Sequence, residues 1–224
     1  MVFMDYLVPC YYSTRVIEKL ESLDTKNQLD FTLINKSIYW AKKYHEGQFR
    51  KSGEPFYTHP LEVAYIVSDY NLKTDVIVTS ILHDIVEDTE VTVEMILDTF
   101  GWRIAEMVAR LTRDRPDGSK LSVREILNNA YDKQDKEVLL IKIIDRLHNI
   151  QTIGSMSDKK IEKTITETLT SFLTSSIYLG LLKVEQQFLD NCMHHTSKQQ
   201  NKSYETESIF SFNNNNSLLL SLIS

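Results

Sequence analysis

The sequence predicts an all-α fold with a disordered C-terminal tail, and three observations support this prediction. Apolar residues recur at helical spacing from about residue 12 to residue 191. Only 6 glycines and 4 prolines occur in 224 residues, which favours long helices over a turn-rich β architecture. From about residue 193 onward Ser, Lys, Gln and Asn dominate, with four consecutive asparagines at 213–216. Such a segment buries too little apolar surface to offset its ordering entropy.

The chain is expected to contain three segments: a helical lead-in (1–30), a main helical domain with C-terminal connector helices (31–192), and a disordered polar tail (193–224). Within the main domain, Ile34, Ile38, Ala41 and His45 follow one helix face. The glycines and proline of residues 46–58 predict a loop, and Pro60 suits the first turn of the next helix.

Two segments, 76–86 and 138–153, are apolar nearly all round and predict buried helices. Between them, Thr92 is expected to begin a helix that Gly101 ends, and residues 114–119 form a loop. Residues 161–189 fit either one long amphipathic helix or a helical pair. We see no internal repeat.

The formal net charge of -6 argues against a dedicated nucleic-acid binder, which normally carries a basic face. It leaves room for an anionic small substrate, because a metal ion reverses the field inside a cleft. Cys10 and Cys192 lie outside any metal-type spacing and indicate two reduced thiols. With no basic leader and no apolar run of about 20 residues, we expect a cytoplasmic protein without a membrane span. The oligomeric state, including a homo-oligomer, stays open.

A group of one imidazole and three carboxyls stands out in the first buried segment. Because residues 81–88 are predicted to lie on the buried helix, Glu87 stacks over His83 and Asp88 over Asp84, one turn on. Burying several like charges is unfavourable unless a cation compensates, and a divalent metal is the economical candidate. A lone His-Asp pair is more often a surface pair or a satisfied core histidine, so this element needs support.

That support comes from two further elements. His59 stands at a predicted helix start after a basic loop. In the second buried helix, one narrow polar stripe is formed at i, i+3, i+7 and i+10 by Lys142, Asp145, Asn149 and Thr152.

Together these elements predict a metal site formed by His59, His83, Asp84 and Asp145. Imidazole and carboxylate ligands without thiolate point to Mn, Fe, Mg or Zn with open positions for water and substrate. Glu87 and Asp88 are then placed to orient that water or move its proton.

Five strings, in this order and spacing, resemble the hydrolase (HD) domain of the RelA/SpoT alarmone family. They are Tyr44-His45-Glu46-Gly47-Gln48, Arg50-Lys51-Ser52-Gly53-Glu54-Pro55, Thr58-His59-Pro60, Leu82-His83-Asp84-Ile85-Val86-Glu87-Asp88-Thr89 and Asp145-Arg146-Leu147-His148-Asn149. The resemblance is firm over about residues 31–153 and implies that the main domain is an HD-domain helical bundle with phosphohydrolase activity.

The resemblance also implies roles for single residues. His59, His83, Asp84 and Asp145 match the family's metal ligands, typically for manganese, and Glu87 and Asp88 match the catalytic acidic pair. Arg50 matches the residue that packs beside the guanine base, with Lys51 and Ser52 in the same pocket, and Asn149 and Thr152 match residues on the sugar and 5′-phosphate side. Lys142 is either a phosphate-facing residue or the i,i+3 ion-pair partner of Asp145.

The implied activity is removal of the 3′-pyrophosphate from guanosine tetra- or pentaphosphate (ppGpp or pppGpp), giving GDP or GTP and pyrophosphate. No synthetase sequence follows, so synthesis of the alarmone is not expected. The chain departs from the family pattern at Gln151, Ile144 and Thr174-Ser175-Ser176. A broader HD nucleotide phosphohydrolase and a non-catalytic alarmone-binding module are the alternatives, and the intact ligands and acidic pair speak against the second.

Overall fold

The computed structural model describes residues 6, 8–115 and 118–197, and this part of the chain is all-α, as predicted. Eleven helices with named bounds are followed by α12, residues 182–197. The helices are α1 Tyr11–Leu23, α2 Phe31–Tyr44, α3 Thr58–Val67, α4 Thr74–Leu82, α5 Ile85–Asp88, α6 Val93–Phe100, α7 Trp102–Leu111, α8 Val123–Asp132, α9 Lys136–Gln151, α10 Asp158–Glu167 and α11 Leu173–Leu179.

Several helices begin where a polar side chain caps the first turn. The predicted cap at Thr92 is confirmed, because its hydroxyl accepts a hydrogen bond from the Met95 N–H, and Gly101 ends α6 with φ 88°. Helix α8 was not predicted from the sequence. Its signal is a capping box, in which Ser122 and Glu125 each accept from the other's backbone N–H.

The helices α4 and α9 form the centre of the bundle. Helix α4 contacts α2, α3, α7 and α9, and α9 also contacts α3, α8 and α11. All residues from Val76 to Leu82 are buried, and so is every residue from Val138 to Asp145. Burying each large apolar side chain contributes about 1.5–3 kcal/mol. Apolar packing therefore fixes α9, which carries Asp145, and α4, which leads into the turn of His83 and Asp84.

Residues 76–86 do not form one continuous helix, and that part of the prediction is wrong. Helix α4 ends at Leu82, and α5 begins only at Ile85. The His83 Nδ1–H donates to the Ser80 carbonyl, 2.8 Å away, which is the acceptor that the Asp84 N–H would use in a continuing helix. The backbone of Asp84 has φ -102° and ψ -5°, so the chain turns between the two residues of the His-Asp pair.

The C-terminal region is a helical pair, one of the two predicted alternatives. Helix α10 continues through a π-helical turn, Thr168–Phe172, into α11, and Gly180 with φ 69° separates α11 from α12. Phe172 and Phe188 are buried, with ring centroids 6.5 Å apart, and they pack the π-helical turn against α12.

Helix α12 extends to residue 197, so the first five residues of the predicted disordered tail, 193–197, are helical. The rest of that predicted tail, 198–224, lies outside the described residues. No helix in the described part is long and apolar enough to cross a membrane. Cys10 and Cys192 are free cysteines.

Candidate metal centre

The four predicted metal ligands converge at one point between three helices. His59 lies in the first turn of α3, His83 and Asp84 form the turn between α4 and α5, and Asp145 lies on α9. One candidate ligand atom from each residue lies within 4.8 Å of all the others. His59 Nε2 is 3.2 Å from Asp145 Oδ1 and 3.4 Å from Asp84 Oδ2, and His83 Nε2 is 3.0 Å from Asp84 Oδ2.

The buried nitrogen His83 Nε2 shows that this group fits a cation. Although it faces two carboxylates, its geometry leaves it without a hydrogen-bond partner in the described part of the chain. A carbonyl oxygen only accepts, so the hydrogen bond to the Ser80 carbonyl requires the hydrogen on Nδ1. A backbone carbonyl that fixes Nδ1–H in this way is typical of metal-ligating histidines. Two imidazole nitrogens with two carboxylates suit a divalent metal.

The charged groups of this cluster stabilise one another's ionised forms. Burial disfavours the charged form of His83, but Asp84 and Asp145 outweigh burial and raise the pKa of its imidazole to about 10. Burial also opposes ionisation of Asp84, yet His83 and His59 hold the pKa of that carboxyl well below its usual range. The two carboxylates thus create a negative potential that attracts a proton or a metal cation.

Two residues of the predicted polar stripe on α9 brace the ligand Asp145. Lys142 Nζ is 3.1 Å from Asp145 Oδ2, and Asn149 Nδ2 donates to Asp145 Oδ1 at 2.6 Å. Burial opposes ionisation of Asp145, but Lys142 and the two histidines bring its pKa well below the ordinary value. Of the two interpretations of Lys142, the structure shows the i,i+3 ion pair.

The acidic pair, Glu87 and Asp88, lies on the short helix α5. The predicted arrangement, with this pair one turn beyond His83 and Asp84 on a single helix, is wrong. Glu87 Oε1 accepts a hydrogen bond from the Arg113 N–H at 2.7 Å, which ties α5 to the loop after α7. Asp88 is exposed at the end of α5. Partial desolvation, followed by the charges of Asp84 and Glu87, raises the pKa of the Asp88 carboxyl to about 6.

The predicted substrate residue Arg50 reaches from the loop before α3 to the end of α9. Its NH2 group donates to Asn149 Oδ1 and to Thr152 Oγ1, each at 3.0 Å. Three of the predicted substrate residues therefore meet beside the ligands. Lys51 and Ser52 are exposed on the same loop, and the Ser52 hydroxyl donates to Glu54 instead of to a residue of the cluster.

Two histidines next to the cluster, His148 and His45, lie outside the predicted site. His148 Nδ1 is 2.7 Å from His59 Nδ1, and burial followed by the charges of His59 and Arg50 lowers the pKa of His148 to about 3. His45 is buried against Phe56, with its Nδ1 2.8 Å from Gln48 Oε1, and burial lowers its pKa. The signal for His148 was its place at i+3 from Asp145, on the edge of the polar stripe.

These features define the class of protein: an all-helical domain built around a candidate divalent-metal site of two histidines and two aspartates. Residues 37–174 match the sequence model of the HD domain. The chain belongs to the HD domain family, and within it this is an HD domain of the RelA/SpoT family.

Several curated relatives are similar over most of this chain. A GTP pyrophosphokinase of Myxococcus xanthus is 33% identical over 179 residues, which is 76% of this chain and 24% of the relative. A guanosine-3′,5′-bis(diphosphate) 3′-pyrophosphohydrolase of Haemophilus influenzae is 34% identical over 157 residues, 67% of this chain and 23% of the relative. The bifunctional (p)ppGpp synthase/hydrolase SpoT of Escherichia coli K12 is 33% identical over 155 residues, 66% of this chain and 22% of the relative. The chain thus spans about a quarter of the length of the curated relatives it matches.

A solved structure described as a metazoan ortholog of SpoT that hydrolyses ppGpp overlays with a TM-score of 0.48 and 20% identity. The overlay covers 82% of this chain and 88% of the other. The family assignment rests on the sequence matches.

Proposed function

We propose that this chain removes the 3′-pyrophosphate of guanosine tetra- or pentaphosphate, with Mn²⁺ as the metal, and yields GDP or GTP and pyrophosphate. The observation that carries the proposal is the convergence of His59, His83, Asp84 and Asp145 beside the acidic pair of α5. The names of the Haemophilus influenzae and Escherichia coli relatives support the same reaction.

The four ligands would hold the metal, and Lys142 and Asn149 would keep Asp145 in place. A bound divalent metal would lower the pKa of a coordinated water and polarise a phosphoryl oxygen. Because the two His Nε2 atoms and the two carboxylates already face one another, the ligands need little rearrangement on binding.

We infer that Asp88 is the residue that accepts a proton from the attacking water. A general base works best when its pKa lies near the operating pH, and the pKa of Asp88 is raised to about 6. Its exposure at the end of α5 gives substrate and solvent access to the carboxyl. Glu87 shares its carboxylate with the Arg113 N–H, so we infer that it mainly positions α5 and the substrate pyrophosphate.

Substrate recognition is proposed for the group around Arg50. Its planar guanidinium is held beside Asn149 and Thr152, and a held guanidinium plane is a suitable surface for stacking a purine base. Asn149 and Thr152 would then meet the sugar and the 5′-phosphates. Lys51 and Ser52, exposed on the same loop, would line the mouth of the pocket, and Lys142 would add positive charge behind Asp145.

The test is release of pyrophosphate from guanosine tetraphosphate by the purified chain, with and without added Mn²⁺. We expect Mn²⁺-dependent release from the guanosine substrate and slower release from its adenosine analogue. Equal rates on both purines would favour the broader nucleotide phosphohydrolase. Tight binding of guanosine tetraphosphate without turnover would favour the non-catalytic module.

A further inference from the structure

His148 contacts both a predicted metal ligand and a predicted substrate residue. Its Nδ1 lies 2.7 Å from His59 Nδ1 and 3.2 Å from Arg50 NH1. The rings of His148 and His59 are tilted by 33° with centroids 4.9 Å apart. His148 Nδ1 therefore takes part in both polar contacts.

The hydrogen positions follow from the chemistry of these three groups. An arginine side chain has only donors, so Arg50 requires a lone pair on His148 Nδ1. A contact of 2.7 Å between two ring nitrogens needs one hydrogen between them. Because His148 Nδ1 carries the lone pair, that hydrogen belongs to His59 Nδ1.

The consequence for His59 is that Nε2 is the nitrogen left to bind a cation. This atom faces Asp145 and Asp84, at 3.2 and 3.4 Å, and any hydrogen that it donates to Asp145 Oδ1 in the metal-free chain would be displaced by the metal. His83 has the same arrangement with a different partner. Its Nδ1–H donates to the Ser80 carbonyl, so its Nε2 faces the same carboxylates. In both residues, a hydrogen bond from Nδ1–H to a protein acceptor orients the imidazole ring, and Nε2 points to the carboxylates.

We propose that His148 is a positioning residue of the metal centre, which, together with Arg50, holds a hydrogen of His59 on Nδ1 and so leaves Nε2 as the nitrogen that binds the metal. The proposal rests on the metal site of the proposed function but does not depend on the identity of the substrate. It assigns Arg50 a second task, since this residue keeps His148 from donating to His59. Without Arg50, His148 is free to place its own hydrogen between the two rings, which moves the His59 hydrogen to Nε2, the ligand position.

The first test is calorimetric titration of the full chain with Mn²⁺ alone. His148→Leu removes the acceptor at similar volume, and His148→Asn keeps an acceptor oxygen near the position of Nδ1. Loss of such a partner typically weakens metal binding about 10- to 100-fold. We expect at least about a tenfold higher Kd for His148→Leu, and a Kd for His148→Asn close to that of the unaltered protein.

The matched control is His45→Leu, which also removes an imidazole beside the cluster. His45 is paired with Gln48 instead of with a ligand, so its loss should leave the Mn²⁺ affinity nearly unchanged. Circular dichroism establishes that each variant is folded. A folded His148→Leu variant that binds Mn²⁺ as tightly as the unaltered protein would overturn the proposal.

The second test needs no change at His148. The ¹⁵N chemical shifts of His59 in the metal-free protein report which ring nitrogen carries hydrogen. We expect hydrogen on Nδ1 in the unaltered chain and a shift of population towards Nε2-only protonation in Arg50→Met. Nε2-only protonation already present in the unaltered chain would contradict the proposal.

The two proposals fail separately. If the chain binds Mn²⁺ and His148→Leu weakens that binding, but guanosine tetraphosphate is not hydrolysed, only the substrate assignment is wrong. If the unaltered chain binds no Mn²⁺, the metal site and the role of His148 are both wrong.

Discussion

The Lys142 ammonium lies 3.1 Å from the Asp145 carboxylate, and both side chains are buried on α9. Burial opposes the charge on Lys142, but Asp145 and then Asp84 outweigh it and raise the lysine pKa. Lys142 is thus a cation built into the chain behind a group that is otherwise rich in carboxylates. It compensates part of the negative charge whether or not a metal is bound.

The first prediction concerns this ion pair. Lys142→Met leaves Asp145 buried without its cation, and breaking a buried pair in this way costs about 3 kcal/mol of the free energy of unfolding. We expect this loss in urea unfolding with a chelator present, and recovery of most of it when Mn²⁺ is added. Lys160→Met, at an exposed position of α10, is the control and should change little. A loss of the same size with and without Mn²⁺ would mean that the metal does not meet Asp145.

The second prediction separates ligation from support. His83→Ala removes one of the two Nε2 atoms that face the carboxylates and should abolish both Mn²⁺ uptake and pyrophosphate release. His45→Ala removes a neighbouring buried imidazole that is paired with Gln48, and we expect it to retain the metal. Metal content is measured after gel filtration. Normal metal content in His83→Ala would show that the ligands are wrongly assigned.

The third prediction tests the acidic pair. Asp88→Asn should keep the Mn²⁺ affinity but lower kcat by about 100-fold or more, because a positioned general base contributes a factor of that order. Glu87→Gln keeps an oxygen that can accept the Arg113 N–H, so α5 should stay in place while activity falls. Calorimetry and steady-state kinetics give the two quantities. Activity of Asp88→Asn within a few-fold of the unaltered enzyme would leave Asp88 with a structural role only.

The fourth prediction concerns pH and stability without metal. The pKa of Asp88 is raised from 3.8 to about 6 in the folded chain, so the folded state binds this proton more tightly than the unfolded state. The resulting stabilisation is fully present below pH 3.8 and is lost as the pH rises through about 6.

Asp88→Asn cannot ionise, and it should therefore be the more stable protein above pH 6. The expected gain is at most about 1 kcal/mol, since solvent screens this exposed carboxyl. The gain should shrink as the pH falls towards 4, which urea unfolding at several pH values measures. Asp98→Asn, exposed on α6, is the control. A gain that does not vary with pH would exclude the carboxyl as its source.

The fifth prediction addresses base recognition. Arg50→Ala should raise KM for guanosine tetraphosphate about tenfold or more, and Arg50→Lys should not restore it, because an ammonium cannot replace a planar guanidinium with its paired donors. The assay is run at saturating Mn²⁺, because loss of Arg50 is also expected to weaken Mn²⁺ binding. An unchanged KM in both variants would show that Arg50 does not contact the base.

The sequence was sufficient to predict which two histidines and two aspartates lie close together, and also the buried helices α4 and α9. In both places a few polar residues contrast strongly with an otherwise apolar segment. The turn at His83–Asp84 could not be predicted, because both residues are compatible with a helix and only the meeting with His59 and Asp145 requires the chain to turn there.

The pairing of Arg50 with His148 could not be predicted from the sequence either. The two residues are 98 positions apart, and no pattern within either segment indicates that they meet. In contrast, α8 was predictable, since Ser122 and Glu125 have the spacing of a capping box. Local signals therefore reveal where helices begin, while contacts between distant segments decide which side chains meet.

The turn between α4 and α5 also limits how this chain can change in length over evolution. His83 and Asp84 are consecutive residues, yet they belong to different helical segments and approach the same point. One residue inserted between them, or one deleted, would rotate the following segment and carry Asp84, Glu87 and Asp88 away together. We therefore expect a change of length to be tolerated at exposed connecting residues such as 118–120, and not between His83 and Asp84.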